Sequence, residues 1–183
     1  MQNTLTHRFL PVDFLTSNHY IFGQLKVANT GLMGLLSDPN SSYIEVNDAS
    51  IARILKSDKV INYSPTMWLP KDQLVAVCMK KRDYVGGQSL VRGGFTRIVP
   101  LRVQLITPIY EIEGTLEWAG RFEFSLLMNE GTNAFFALYD AVLTATLFPT
   151  LHIESQAMLV NRSFMDALML VRRGTGQLTG PPP

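Results

Sequence analysis

Short stretches in which apolar and polar residues alternate dominate this chain. Val103-Gln104-Leu105 and Tyr110-Glu111-Ile112-Glu113 alternate on either side of Thr107-Pro108, which predicts two strands around a short turn. Gly114 falls inside the second of these strands, and Gly23 holds the same place in an earlier run. A glycine there marks a bulge or a tight bend, of the kind small barrels use at their corners. The next segments, Gly31 to Leu36 and Arg121 to Met128, carry the apolar spacing of one or two helical turns. Asp38-Pro39-Asn40 and Asn129-Glu130-Gly131 end them. A hydrophobic strand follows, closing on Asp48-Ala49 or Asp140-Ala141, and another runs through Ile51 or Leu143. The last pair is Met67-Trp68-Leu69 into Leu74 to Val77, and Met158-Leu159-Val160 into Met165 to Val171. Pro70-Lys71-Asp72 and Asn161-Arg162-Ser163 are the turns between them.

Elements arrive in the same order twice. Moved by 91 positions, Val12 to Thr16 falls on Val103 to Thr107, and Ile21, Gly23, Leu25 and Ala28 fall on Ile112, Gly114, Leu116 and Ala119. One inserted residue later, Tyr43 to Ala49 meets Phe135 to Ala141. The offset then returns, placing Ser64 and Met67 on Ser155 and Met158, and Lys81-Arg82 on Arg172-Arg173. The expected fold class is therefore mainly β with short helices, a tandem duplication of a small barrel-like β domain. Each copy has about five or six strands and one short helix. The expected division is a first repeat domain over 1–82, a Gly-rich linker over 83–98, a second repeat domain over 99–173 and a flexible tail over 174–183. Leu25, Leu36, Val46, Leu116, Leu127 and Leu138 are the expected matching core positions.

Composition adds that this chain has more apolar surface than two small domains need. Hydrophobic residues make up 46% and charged residues only 17%, against roughly 25% charged in an average soluble domain. Small domains have much surface for their volume, so the excess calls for a seam between the copies, a partner subunit or a membrane face. A net charge of +1 is too balanced for a protein that binds nucleic acid mainly through phosphates. The single cysteine, Cys78, leaves no disulfide framework and fits a reducing compartment, here the cytoplasm. Met1 to Pro11 lacks the pattern of a secretory signal. Phe135 to Ile153 is apolar but holds Asp140, His152 and Pro149, so it reads as a buried strand pair and no transmembrane segment is expected.

Candidate chemistry is sparse. Asp48 and Asp140 match across the copies; the functional reading is a pair of acids, and the structural one is a carboxylate holding backbone N–H groups of the following turn. His7, His19, His152 and Cys78 show no metal-ligand spacing, so no metal or cofactor is expected. Cys78 itself reads as a core residue. Lys71, Lys81, Arg82, Arg162, Arg172 and Arg173 form the possible binding surface, a basic patch or else solvated strand ends. Trp68 and Trp118 fit core and interface equally.

With Tyr110 to Gly114, Leu126 to Asn129, Phe135 to Ala141 and Ala157 to Arg162, the second copy resembles a small bacterial domain family of uncharacterised activity. The resemblance covers about 60 residues, is weaker in the first copy, and implies a fold without a function. The last hairpin, with its basic turn, is also similar to Sm-like RNA-binding barrels. It departs from them because the helix lies inside the unit and Asn161-Arg162-Ser163 replaces their arginine–glycine pair. The expected function is a non-enzymatic scaffold or binding module acting by protein association, self-association included. The alternative is an Sm-like nucleic-acid-binding protein using its basic strand ends.

Overall fold

The computed structural model describes residues 7–28, 31–86, 97–129 and 134–171. The first half runs β1 (Arg8–Leu15), β2 (His19–Val27), α1 (Gly31–Ser37), β3 (Tyr43–Arg53), β4 (Lys56–Pro70), a 3-10 turn (Lys71–Gln73) and β5 (Ala76–Met79). A second 3-10 turn, Arg82–Tyr84, leads out of it. The other half runs β6 (Ile98–Ile106), β7 (Tyr110–Ala119), α2 (Phe124–Asn129), β8 (Phe135–Ala145), β9 (His152–Asn161), a 3-10 turn (Arg162–Phe164) and β10 (Ala167–Leu170). All the ladders are antiparallel, and their registers correspond from half to half: Val12 faces Gly23 as Val103 faces Gly114, and Val46 faces Met67 as Leu138 faces Met158.

The strands form one ten-stranded sheet in the order β10-β6-β7-β8-β9-β5-β1-β2-β3-β4. This corrects the expectation of two barrels, because the sheet is open. A barrel would close if β5 paired with β4 of its own half. Instead β5 lies between β1 and β9, and so ties the first half to the second. Closure is replaced by a shared wall. Val77 and Met79 of β5 face one hydrophobic core, while Ala76 and Cys78 face the other. Strand β9 splits alike, with Ala157 and Leu159 in the first core and Met158 and Val160 in the second. This is the period-2 alternation of a strand with both faces covered. The six expected core positions, from Leu25 to Leu138, are all buried.

Two local expectations change. Asp48 and Asp140 do not end strands: each sits inside one continuous strand, at a bulge, with φ of 49° and 46°. The extra residue of the bulge lies opposite the matched glycine, where the β2–β3 and β7–β8 registers shift. A Cβ on Gly23 would stand 2.6 Å from Val46 Cγ1 and 2.9 Å from the Asn47 carbonyl oxygen, so only glycine leaves room. The proposed linker is also partly packed. Val85 is buried in the first core, and its carbonyl accepts a hydrogen bond from the Met33 N–H at 2.9 Å. Residues 87–96 and the expected tail, 174–183, lie outside the described residues.

Candidate functional site

The two halves meet along a buried, hydrogen-bonded seam. Four residues of β5 pair with four of β9, Ala76 with Val160 through Met79 with Ala157, and all eight are buried. The Asn161 N–H donates to the Val75 carbonyl at 2.9 Å, and its side-chain amide donates to the Leu74 carbonyl at 3.0 Å. At the other end of the seam, the Met79 N–H donates to Ser155 Oγ at 3.0 Å. The Ser155 hydroxyl in turn has the Ala157 carbonyl at 2.5 Å and the Met79 carbonyl at 2.9 Å. Buried backbone groups are thereby paired across the seam, as burial demands.

The corresponding elements at the ends of the sheet are uncovered. Among the described residues, β4 pairs only with β3 and β10 only with β6. Trp68 of β4 is 59% exposed where its counterpart Leu159 is 0%, and Leu170 of β10 is 51% exposed where Met79 is 1%. Tyr43, which faces Pro70 of β4, is exposed as well. Trp118, by contrast, is buried, with its indole N–H donating to the Arg121 carbonyl at 3.0 Å. The two tryptophans that sequence could not separate thus have different surroundings. A groove of roughly 700 Å³ runs past Trp68, Tyr43, Lys71, Phe135 and Asn161, drawing its walls from both halves.

The described basic residues have their own contacts within the fold. Lys71 is buried, its ammonium donating to the Asp38 carbonyl at 2.9 Å beyond the end of α1. Burial pushes its pKa down, and the nearby Asp38 carboxylate opposes that. Arg162 makes the matching contact in the second half, with the Met128 carbonyl at 3.0 Å. Arg82 bridges Asp140 at 2.6 Å and Glu117 at 3.3 Å, and its guanidinium lies 4.6 Å from the centre of the Tyr139 ring. Lys81 lies over the Tyr84 ring. Arg172 and Arg173 lie outside the described residues.

Comparison with family models, with curated proteins and with solved structures finds no match to this chain.

The aspartates have separate partners too: Asp48 accepts from the Tyr63 hydroxyl at 2.9 Å, and Asp140 from Arg82. Burial and the Asp13 charge push the Cys78 thiol well above its ordinary range, so it stays protonated and a poor nucleophile at neutral pH. Asp13, which faces Cys78 across the β1–β5 ladder, is itself raised by burial; hydrogen bonding from Tyr20 and the Lys80 charge pull the other way. Among the described residues, no three His, Cys, Asp or Glu side chains gather as metal ligands would, and no helix is long and apolar enough to cross a membrane. Sequence reasoning missed Tyr43, Met169 and Leu170 as a candidate surface and left Trp68 open between core and interface. Trp68, Met169 and Leu170 correspond to the seam residues Leu159, Cys78 and Met79, whereas they themselves stand at the ends of the sheet.

Proposed function

We propose that the chain is an internally duplicated, non-enzymatic scaffold of the cytoplasm that works by associating with protein, copies of itself included, through the apolar surface at its two ends. The carrying observation is where the exposed apolar side chains lie. Most of the large ones fall on or beside β3 and β4 at one edge of the sheet, and on or beside β6 and β10 at the other. Exposed apolar surface gathered in this way marks interaction sites, whereas scattered single residues need no explanation. Duplication is supported by the matched ladder registers, by the two left-handed aspartates and by the paired props Lys71 and Arg162. Charge-driven binding is disfavoured because Lys71, Arg82 and Arg162 are engaged within the fold.

Sedimentation at low and high salt tests the proposal. Apolar association should persist at high salt and strengthen in sulfate, which is excluded from protein surface. A single monomeric species under all these conditions, together with failure to retain any protein partner, would overturn it. So would RNA binding whose log affinity falls with log salt by about 0.7–0.9 per phosphate neutralised.

A further inference from the structure

The seam inside the molecule describes a contact that its two ends are equipped to repeat. Strand β5 lies on β1 in the same register as β10 lies on β6: Ala76 faces Leu15 as Ala167 faces Ile106. Strand β4 lies on β3 as β9 lies on β8. The outer edge of β5 is covered by β9, and the corresponding strand for β10 would be a β4. The β4 of the same chain stands at the opposite edge of the sheet, so a second molecule must supply it. We infer that the partner is another copy of this chain, whose β4 adds to β10 head-to-tail. The pairs would be Ala167 with Leu69, Leu168 with Trp68, Met169 with Met67 and Leu170 with Thr66. This rests on the association reading above and names its partner.

Three observations support the pairing beyond correspondence. The sequence of β10, Ala-Leu-Met-Leu, is apolar at every position, like the Ala-Val-Cys-Met of β5. Such a run belongs to a strand covered on both faces, yet only Leu168 packs on a core, while Met169 and Leu170 are exposed. Strand β4 lacks a donor at the upper end of its outer edge, because Pro70 has no N–H to give there; Pro65 bounds the segment at its other end. Between them, Thr66 to Leu69 form a window of the same length as β10, free of proline and charge. A displaced register would bring a proline into the ladder. Finally, Ser64 already mimics Ser155, its hydroxyl donating to the Thr66 carbonyl at 2.5 Å as Ser155 donates to Ala157. In the repeated contact Ser64 Oγ would receive the Leu170 N–H, as Ser155 receives that of Met79.

Pro70 stands where Asn161 stands in the internal seam, so the two hydrogen bonds Asn161 makes across it have no equivalent between molecules. The intermolecular contact is consequently the weaker one, and assembly depends on concentration. A head-to-tail contact is heterologous, so it continues into a ring or a fibre and does not stop at a two-fold dimer.

Cysteine cross-linking tests the register. Hydrogen bonding at Val75–Asn161 makes Cys78–Met158 one of the closer, non-hydrogen-bonded pairs of the antiparallel ladder. Its intermolecular counterpart is Met169–Met67. The chain carrying both Met67→Cys and Met169→Cys should give a covalent ladder of species on mild oxidation. Mixed single variants of different mass should give the mixed dimer alone. Native Cys78 is buried and protonated, so it does not compete. Replacing Met67→Cys by Trp68→Cys turns that thiol to the other face and should abolish the ladder. Hydrogen exchange on the unmodified chain gives a second measure: amides of 66–69 and 167–170 should gain protection as concentration rises. An oligomer without the ladder and without that protection would overturn this pairing while leaving the association reading in place. A monomer at every concentration would overturn both.

Discussion

Strands β4 and β9 hold the same position in their halves and have opposite surroundings. Both follow a hairpin from the preceding long strand, and both lead through a 3-10 turn into a four-residue strand. Yet β9 is buried over its last five residues, whereas β4 is exposed or half-buried everywhere but Leu69. The difference lies in what comes next to them. β9 receives β5 on its outer edge and a core on each face, so it carries Ala157 to Val160 without a polar interruption. β4 receives nothing among the described residues, and it carries Pro65, Pro70, Lys56 and Lys59, residues that keep an open edge from pairing indiscriminately. Matching position in the two halves therefore does not fix burial. The neighbour does.

The comparison makes its largest prediction at Leu159 and Trp68, which correspond. Leu159→Ala removes a side chain from the first core and should cost on the order of 2–5 kcal/mol. Trp68→Ala, measured by urea unfolding at dilution where the chain is monomeric, should stay within about 0.5 kcal/mol. Equal costs would show that the edge is already covered within one molecule.

A smaller effect separates the two serines. Ser155→Ala removes the buried hydroxyl that accepts from the Met79 N–H and reaches the Ala157 carbonyl, which should cost roughly 1–3 kcal/mol. Ser64→Ala should cost less in the monomer, because Ser64 holds only the local contact to the Thr66 carbonyl. The gap should narrow as concentration rises, if Ser64 takes up the same role between molecules.

The smallest effect is at Asp13, beside the seam, whose counterpart at the exposed end is Gln104. Burial raises the Asp13 pKa above its unfolded value. Its contribution is therefore fully present below the ordinary carboxylate range and is lost as pH rises through the folded-state pKa. Asp13→Asn keeps an acceptor for Tyr20 and should leave stability unchanged in acid. At neutral pH it should raise stability, by less than about 1 kcal/mol. Urea midpoints at the two pH values check the sign; a loss at neutral pH would mean that the Tyr20 and Lys80 interactions outweigh burial.

Much of the local architecture could be read before the structure. Alternation located the long strands, the matched glycines located the bulges, and the spacing around Leu36 and Leu127 located both helices. Even the difference between the halves was written in the chain. Phe135-Phe136-Ala137-Leu138 is continuous because β8 faces two cores, while Tyr43-Ile44-Glu45-Val46 alternates because β3 faces one. These features are legible because side-chain periodicity records how many faces of a strand are covered. It does not record which strand lies beside it. Backbone hydrogen bonds join strands without regard to most side chains, so the exchange that placed β5 on β9, and left β4 and β10 as edges, was decided only in three dimensions. The same holds for Arg82, read as part of a basic patch and found bridging Asp140 and Glu117. Its partners lie far along the chain, and only the packing of one half against the other brings them within reach.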